Sequence, residues 1–354
     1  MSKKENKELN CRLGTVGGEA VLEGVMMKGK DGKMGIAVRR EDGSIIVTED
    51  KHTSVRKKHK ILNIPIIRGV VGMVESFLLS FKVLNVSAEI FGESIDEEPS
   101  KFEKWLERKF GKSLMDFVMV IASVLGVALA LGLFMFLPSL ITKGIDHLCG
   151  NVLGAWKSAI EGVLKIVIFI AYLALVSLMK DIRRTFEYHG AEHKSIFCYE
   201  AGEELTPENV KKHSKHHPRC GTSFMFVMLI ISILIFSLPF VPWDNIWLRL
   251  LIKLPLLPIA IGLGFEFIMF AGKHDNWFIR ALSAPGLLMQ RITTREPDLD
   301  QIEVAIMALK TALPDEFPDF VPPTAENLKK AEEEKAMAEK EDEEEKAEAE
   351  ESDD

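Results

Sequence analysis

Four cysteines among 354 residues cannot build a disulfide framework. The first sixty residues hold no apolar run, so no cleavable signal peptide is expected. The pattern G-x-x-x-x-G-K-S/T is absent, which excludes a nucleotide phosphate loop. Nothing in the spacing of the basic residues suits base readout, so no sequence-specific nucleic-acid partner is expected. Net negative charge is confined to one place. Residues 325–354 carry fifteen acidic groups against five lysines, a net of −10 beside −8 for the whole chain. The rest is therefore close to +2, and the acidity belongs to the tail.

What the chain does have is apolar length. Segments 117–137, 159–179, 221–241 and 254–271 are each apolar enough to cross a hydrocarbon core, which takes ~20 helical residues. The second includes Glu161 and Lys165, and Glu266 interrupts the fourth. Lys and Arg alternate about these segments. They are frequent before residue 117, reduced to Lys143 and Lys157 in 142–158, and frequent again in 180–220. The next connection has only Arg249 and Lys253, and the C-terminal segment is basic before its acidic tail. By the positive-inside rule this predicts four spans of the cytoplasmic membrane with both termini in the cytosol. Cys11, Cys198 and Cys220 then face a reducing compartment and are available as ligands, while Cys149 lies alone on the outer side.

The expected class is a mainly α integral membrane protein with a small N-terminal β region. Within residues 1–65, the runs EAVLEGVMM, MGIAVRR and SIIVTED read as an antiparallel meander turned at KDGK and EDGS. Glu19 and Glu23 would share one face of its first strand, which could bind a cation but reads better as solvated. The cluster Arg56, Lys57, Lys58 and Lys60 suits anionic lipid headgroups, with a ribosome or translocon surface as the alternative. Segment 66–92 places Arg68, Glu75, Lys82 and Glu89 seven residues apart on one helical stripe, the rest being largely apolar. It reads as an interfacial or partly inserted helix. Two helices are expected within 275–313. One should start at Ser283-Ala284-Pro285 and the other at a capping box opening on Asp300. Residues 324–354 form a disordered or solvated tail.

Between the second and third spans, residues 180–220 form the expected cytosolic His-rich hairpin. Its first helix carries His189-Gly190-Ala191-Glu192-His193, an H-x-x-E-H pattern. On a helix the two imidazoles lie one turn apart and converge on one ion, and Glu192 stands beside them as a general base for a water. Thr206-Pro207 caps a second helix, expected to run through His213 and His217, again four apart, with Cys220 following. Ligands for a zinc or similar divalent ion would come from His189, His193, His213, His217 and Cys220, in a mononuclear or binuclear site. Glu266 enters from the fourth span either as a ligand or partner of an imidazole, or as a snorkelling or Arg-paired carboxylate that orients the helix. Two roles stay open. One is a metal-dependent hydrolase acting at the membrane surface with Glu192 as base. The other is a non-catalytic scaffold or membrane-protein biogenesis factor whose metal is structural.

GGEAVLEGVMMKG at 17–29, the long run 188–224, FEFIMFAGK at 265–273 and PGLLMQRITTREPDLDQIEVAI at 285–306 together resemble the YqhQ-like family of bacterial membrane proteins. The resemblance extends over residues 14–313. It implies a multi-pass membrane topology, and members are commonly labelled metal-dependent enzymes on the same histidine motif. Glu19 stands where relatives carry Gln, a departure that weakens any ligand role for Glu19.

Overall fold

The computed structural model describes residues 12–57, 59–92, 112–154, 156–217, 219–238, 241–271 and 277–328. The expected acidic tail beyond 328 and the side chains of Lys57, Lys58 and Lys60 lie outside what is described.

The β region has four antiparallel strands, not three: β1 Val16–Val21, β2 Gly24–Gly29, β3 Lys33–Arg39 and β4 Ile45–Lys51, in that order across the sheet. The long first run breaks because Leu22-Glu23 forms a two-residue turn, with Glu23 at a φ of 50°. Glu23 therefore does not share a strand face with Glu19. Its carboxylate takes a charge-assisted bond from Arg184, and Tyr188 donates to it at 3.3 Å. Gly32 and Gly43 make the two remaining turns at φ of 92° and 85°, as the Asp-Gly pairs predict.

Alternate residues of the sheet enter two different cores. Val25, Met27, Ala37 and Val47 pack on helices α5 (Lys180–Glu200) and α10 (Leu299–Ala312), with Tyr188, Tyr199, Ile302 and Leu309. Met26, Met34, Ile36 and Val38 pack on the opposite side against Val83 and Ile90 of α1 (Ile67–Gly92). A sheet covered on both faces needs near-continuous apolar strands, and MM, IAV and IIV supply them. Helix α10 starts two residues earlier than expected: Asp298 accepts from the Gln301 amide, and the Gln301 side chain returns the bond.

The remaining helices are apolar apart from one short one, Pro207–Lys211. Helix α2 (Lys112–Leu131) continues through a π-helical stretch, 132–136, into α3 (Leu137–Leu148). Pro138 has no N–H for the i−4 carbonyl, which widens the turn before it. Then come α4 (Trp156–Val176), the five-residue α6 (Pro207–Lys211), α7 (Gly221–Phe236), α8 (Ile246–Ala271) and α9 (Trp277–Thr293). Helix α9 runs through Pro285 rather than starting there. Among the described residues, four helices are long and apolar enough to cross a membrane: 67–92, 123–148, 156–176 and 246–267. The expected third span, 221–241, contains a shorter apolar helix.

Helix α8 begins before the expected 254, and this changes the reading of Arg249 and Lys253. They are not connecting residues but buried groups, 2% and 0% exposed. Both pair with Glu161 of α4, Lys165 lies 3.4 Å from the same carboxylate, and Lys253 donates to Ser139 of α3 at 3.0 Å. Polar residues that would otherwise mark a loop are here the inner joint of three apolar helices.

Candidate metal centre

Helix α5 carries His189 and His193 one turn apart, with ring centroids separated by 4.4 Å. Each ring is held through Nδ1 by a backbone carbonyl: Thr293 O at 2.8 Å for His189, and Lys215 O at 2.5 Å for His193. A carbonyl only accepts, so each Nδ1 carries and donates the proton. In a neutral ring with that tautomer, Nε2 is the atom with the lone pair. Cys220 Sγ lies 3.2 Å from His189 Nε2, and the ligand atoms of His189, His193 and Cys220 all fall within 4.8 Å of one another. Imidazoles that ligate a metal are oriented in this way, with the second nitrogen tied to a carbonyl. Burial, opposed by Cys220, holds His193 below the ordinary imidazole value, so its ring is neutral.

Gly190 makes the arrangement possible. A Cβ there would stand 2.0 Å from Arg295 O, so only glycine lets segment 293–297 pass this close to α5. The segment is stitched down by Arg295 N donating to Phe186 O at 2.8 Å, which brings Thr293 O onto His189.

Glu192 places Oε2 3.8 Å from His189 Nε2 and is 5% exposed. Burial pushes its carboxyl up to about 7, opposed by His189 and reinforced by Glu19. Glu19 is thus not a solvated strand residue. It is half-buried beside the site, Ser80 of α1 donates to it at 2.7 Å, and desolvation raises its carboxyl above the ordinary range. The Gly-Gly-Glu run of β1 was the only signal in the sequence for this wall. Gly18 faces Glu192 so closely that a Cβ would lie 2.8 Å from its Cγ.

Three of the expected ligands are not brought to this cluster. Helix α6 ends at Lys211, so His213 and His217 are not a helical pair. The Ser214 hydroxyl accepts from the His216 amide, a local turn that competes with helix. The His217 ring lies 5.5 Å from the His193 ring at a tilt of 39°, but its Nδ1 accepts from the Arg219 amide and its Nε2 faces Glu200 at 3.8 Å. Gln290 fixes this residue by bonding both its N–H and its carbonyl at 2.8 Å. His213 lies instead beside Glu203, 3.3 Å from its carboxylate. Glu266 is held by Arg68, whose Nε donates at 2.6 Å, and accepts from the Ile66 amide at 3.3 Å. That makes it a joint between α8 and the start of α1. Arg56 of the basic cluster is likewise engaged internally, 3.2 Å from Glu75.

A family profile described as "Protein of unknown function (DUF1385)" matches residues 64–315. The chain belongs to this family. It is also similar to the Uncharacterized protein YqhQ of Bacillus subtilis (strain 168). The two are 33% identical over 298 residues, which cover 84% of this chain and 92% of that one. No solved structure matches the chain. The DUF1385 match contains His189, Glu192, His193, Cys220 and Ser80, while Gly18 and Glu19 precede it.

Proposed function

We propose that this DUF1385 protein is a multi-pass membrane protein whose His189, His193 and Cys220 hold a zinc or similar divalent ion, and that it is a metal-dependent hydrolase working at the cytosolic membrane surface. The observation that carries the proposal is the pair of carbonyl-tethered imidazoles whose Nε2 atoms converge with a thiol, with Glu192 alongside. Two nitrogens and one sulfur leave a fourth position open, the pattern of catalytic rather than structural zinc. The ion would supply Lewis acidity at that position. Glu192 would take the proton of an attacking water and deliver it to the leaving group, a task its place beside the two imidazoles suits. A structural site would need a fourth donor, and His217 is directed to Glu200 and Arg219 instead.

Chain parity supports the membrane arrangement. The sheet before α1 and helices α5 and α10 after α4 share one core. If α2–α3 and α4 each cross once, α1 crosses not at all. Helix α1 meets α8 at its start, where Gly69 approaches Phe265 and Gly262, and the sheet at its end. Its stripe of Arg68, Glu75 and Lys82 is turned to protein partners, while Met73, Val74, Phe77, Leu78, Phe81 and Leu84 are exposed. An apolar outer face on a helix backed by a folded layer suits the headgroup boundary, where Lys57, Lys58 and Lys60 would meet anionic lipid. The four crossings are then α2–α3, α4, α7 and α8.

The test is Glu192→Gln in the full chain. It should retain the ion and the fold, and lose function in a complementation assay. Retention of all three overturns the hydrolase reading, and loss of the ion makes Glu192 a ligand instead.

A further inference from the structure

A second group of potential ligands lies at the far end of α5: Cys198, Glu203 and His213, with their ligand atoms within 4.8 Å of one another. The backbone explains how they meet. Gly202, at a φ of 73°, ends α5 in a Schellman turn, with Gly202 N donating to Tyr199 O at 3.0 Å and Glu203 N to Cys198 O at 3.2 Å. That turn sets the side chain two residues past the cap against the one three residues before it, where an apolar contact is usual. Here the two are a thiol and a carboxylate. Thr206 then caps α6, its hydroxyl accepting from Asn209 N, and the chain returns with His213. His213 N donates to Val210 O at 3.1 Å, and the imidazole points back at the end of α5.

Two features indicate a ligand rather than a chance meeting. Buried His213 Nε2 makes no hydrogen bond, although a carboxylate oxygen lies 3.3 Å away. Cys198 is fully buried, its thiol donating only a long bond to Glu204 O at 3.6 Å, and the side chains beside it complete a zinc-type set of sulfur, nitrogen and oxygen. Tetrahedral zinc spaces its ligand atoms about 3.3–3.8 Å apart, so the cluster needs only small side-chain movements to close on an ion.

We propose that Cys198, Glu203 and His213 bind a second divalent transition-metal ion, of the zinc class, separate from the one at His189, His193 and Cys220. Its role is to staple segment 203–213 to α5. Two residues past His213, Lys215 supplies the carbonyl that orients His193. The staple therefore fixes a support of the first centre without touching it.

The experiment is cobalt titration of the full-length protein in detergent after removal of bound metal, with ion counts and thiolate-to-cobalt absorption as readouts. Wild type should take two ions, and Cys198→Ser and His213→Gln one each. His193→Ala should also take one, and Cys198→Ser combined with His193→Ala none. Glu203→Gln, at a half-exposed position, should lower second-site affinity with no change in circular dichroism and so guards against misfolding. Unchanged counts in Cys198→Ser, His213→Gln and Glu203→Gln, with one ion lost in His193→Ala, overturn this inference and leave the first centre standing. The converse result removes the first centre and leaves the second.

Discussion

Gly190→Ala is the smallest change that should disable the first centre while sparing the fold. The added Cβ would lie 2.0 Å from Arg295 O and 3.2 Å from Pro297 Cδ. Both belong to a chain segment rather than to a flexible side-chain tip. Relief to a tolerable contact needs the segment to retreat by roughly 1 Å, and overpacking of this kind costs about 1–3 kcal/mol. Alanine recovers about 1 kcal/mol of helix preference over glycine. The net loss of stability should therefore be only about 0–2 kcal/mol. Thr293 O moves with Arg295, and its bond to His189 Nδ1 is what sets the ring angle. Loss of such a support lowers metal affinity by about 10–100-fold. The assay is competition for zinc against a chromophoric chelator, with thermal unfolding in detergent alongside. Gly144→Ala, with open space around its new Cβ, is the control. A folded Gly190→Ala protein that binds zinc as tightly as wild type would refute the reasoning.

Further outcomes follow from other parts of the structure. Glu161→Ala should leave Lys165, Arg249 and Lys253 buried without their counter-charge, at a cost of about 3–5 kcal/mol, read as lost accumulation or a large drop in detergent Tm. Glu266→Gln should keep full metal content yet weaken the α1–α8 joint by about 1–3 kcal/mol, because Arg68 loses a charged partner; loss of metal would return Glu266 to the ligand set. Nitroxide labels at Val74, Phe77, Phe81 and Leu84 should report one shallow depth. A spanning α1 would spread them over about 15 Å at 1.5 Å per residue, and such a gradient would exclude the interfacial placement.

What could be read in advance was whatever depends on local period. H-x-x-E-H places His189 and His193 on one helical face wherever that helix goes, and the Asp-Gly turns and apolar runs identify a meander and apolar helices. What stays open or is missed from sequence concerns groups whose partners are remote in the chain. Glu266 finds Arg68 almost two hundred positions earlier, and Glu19 finds Glu192 and Ser80, so neither role is written in its neighbours. Arg249 and Lys253 look like loop residues until Glu161 is brought to them. His213 and His217 have helical spacing, but Ser214 and the pull of Gln290 on residue 217 take that stretch out of the helix. Cys220 comes to lie beside His189 because it follows the same loop back to the start of α7.

The central claim is that the two tethered imidazoles and one thiol form a metal centre. Elemental analysis of the purified full-length protein, wild type beside His193→Ala, addresses it directly. The account predicts a transition-metal ion in wild type that is lost, one per chain, in the variant, while the circular dichroism is unchanged. Equal metal content in the two folded proteins, or none in either, would contradict it.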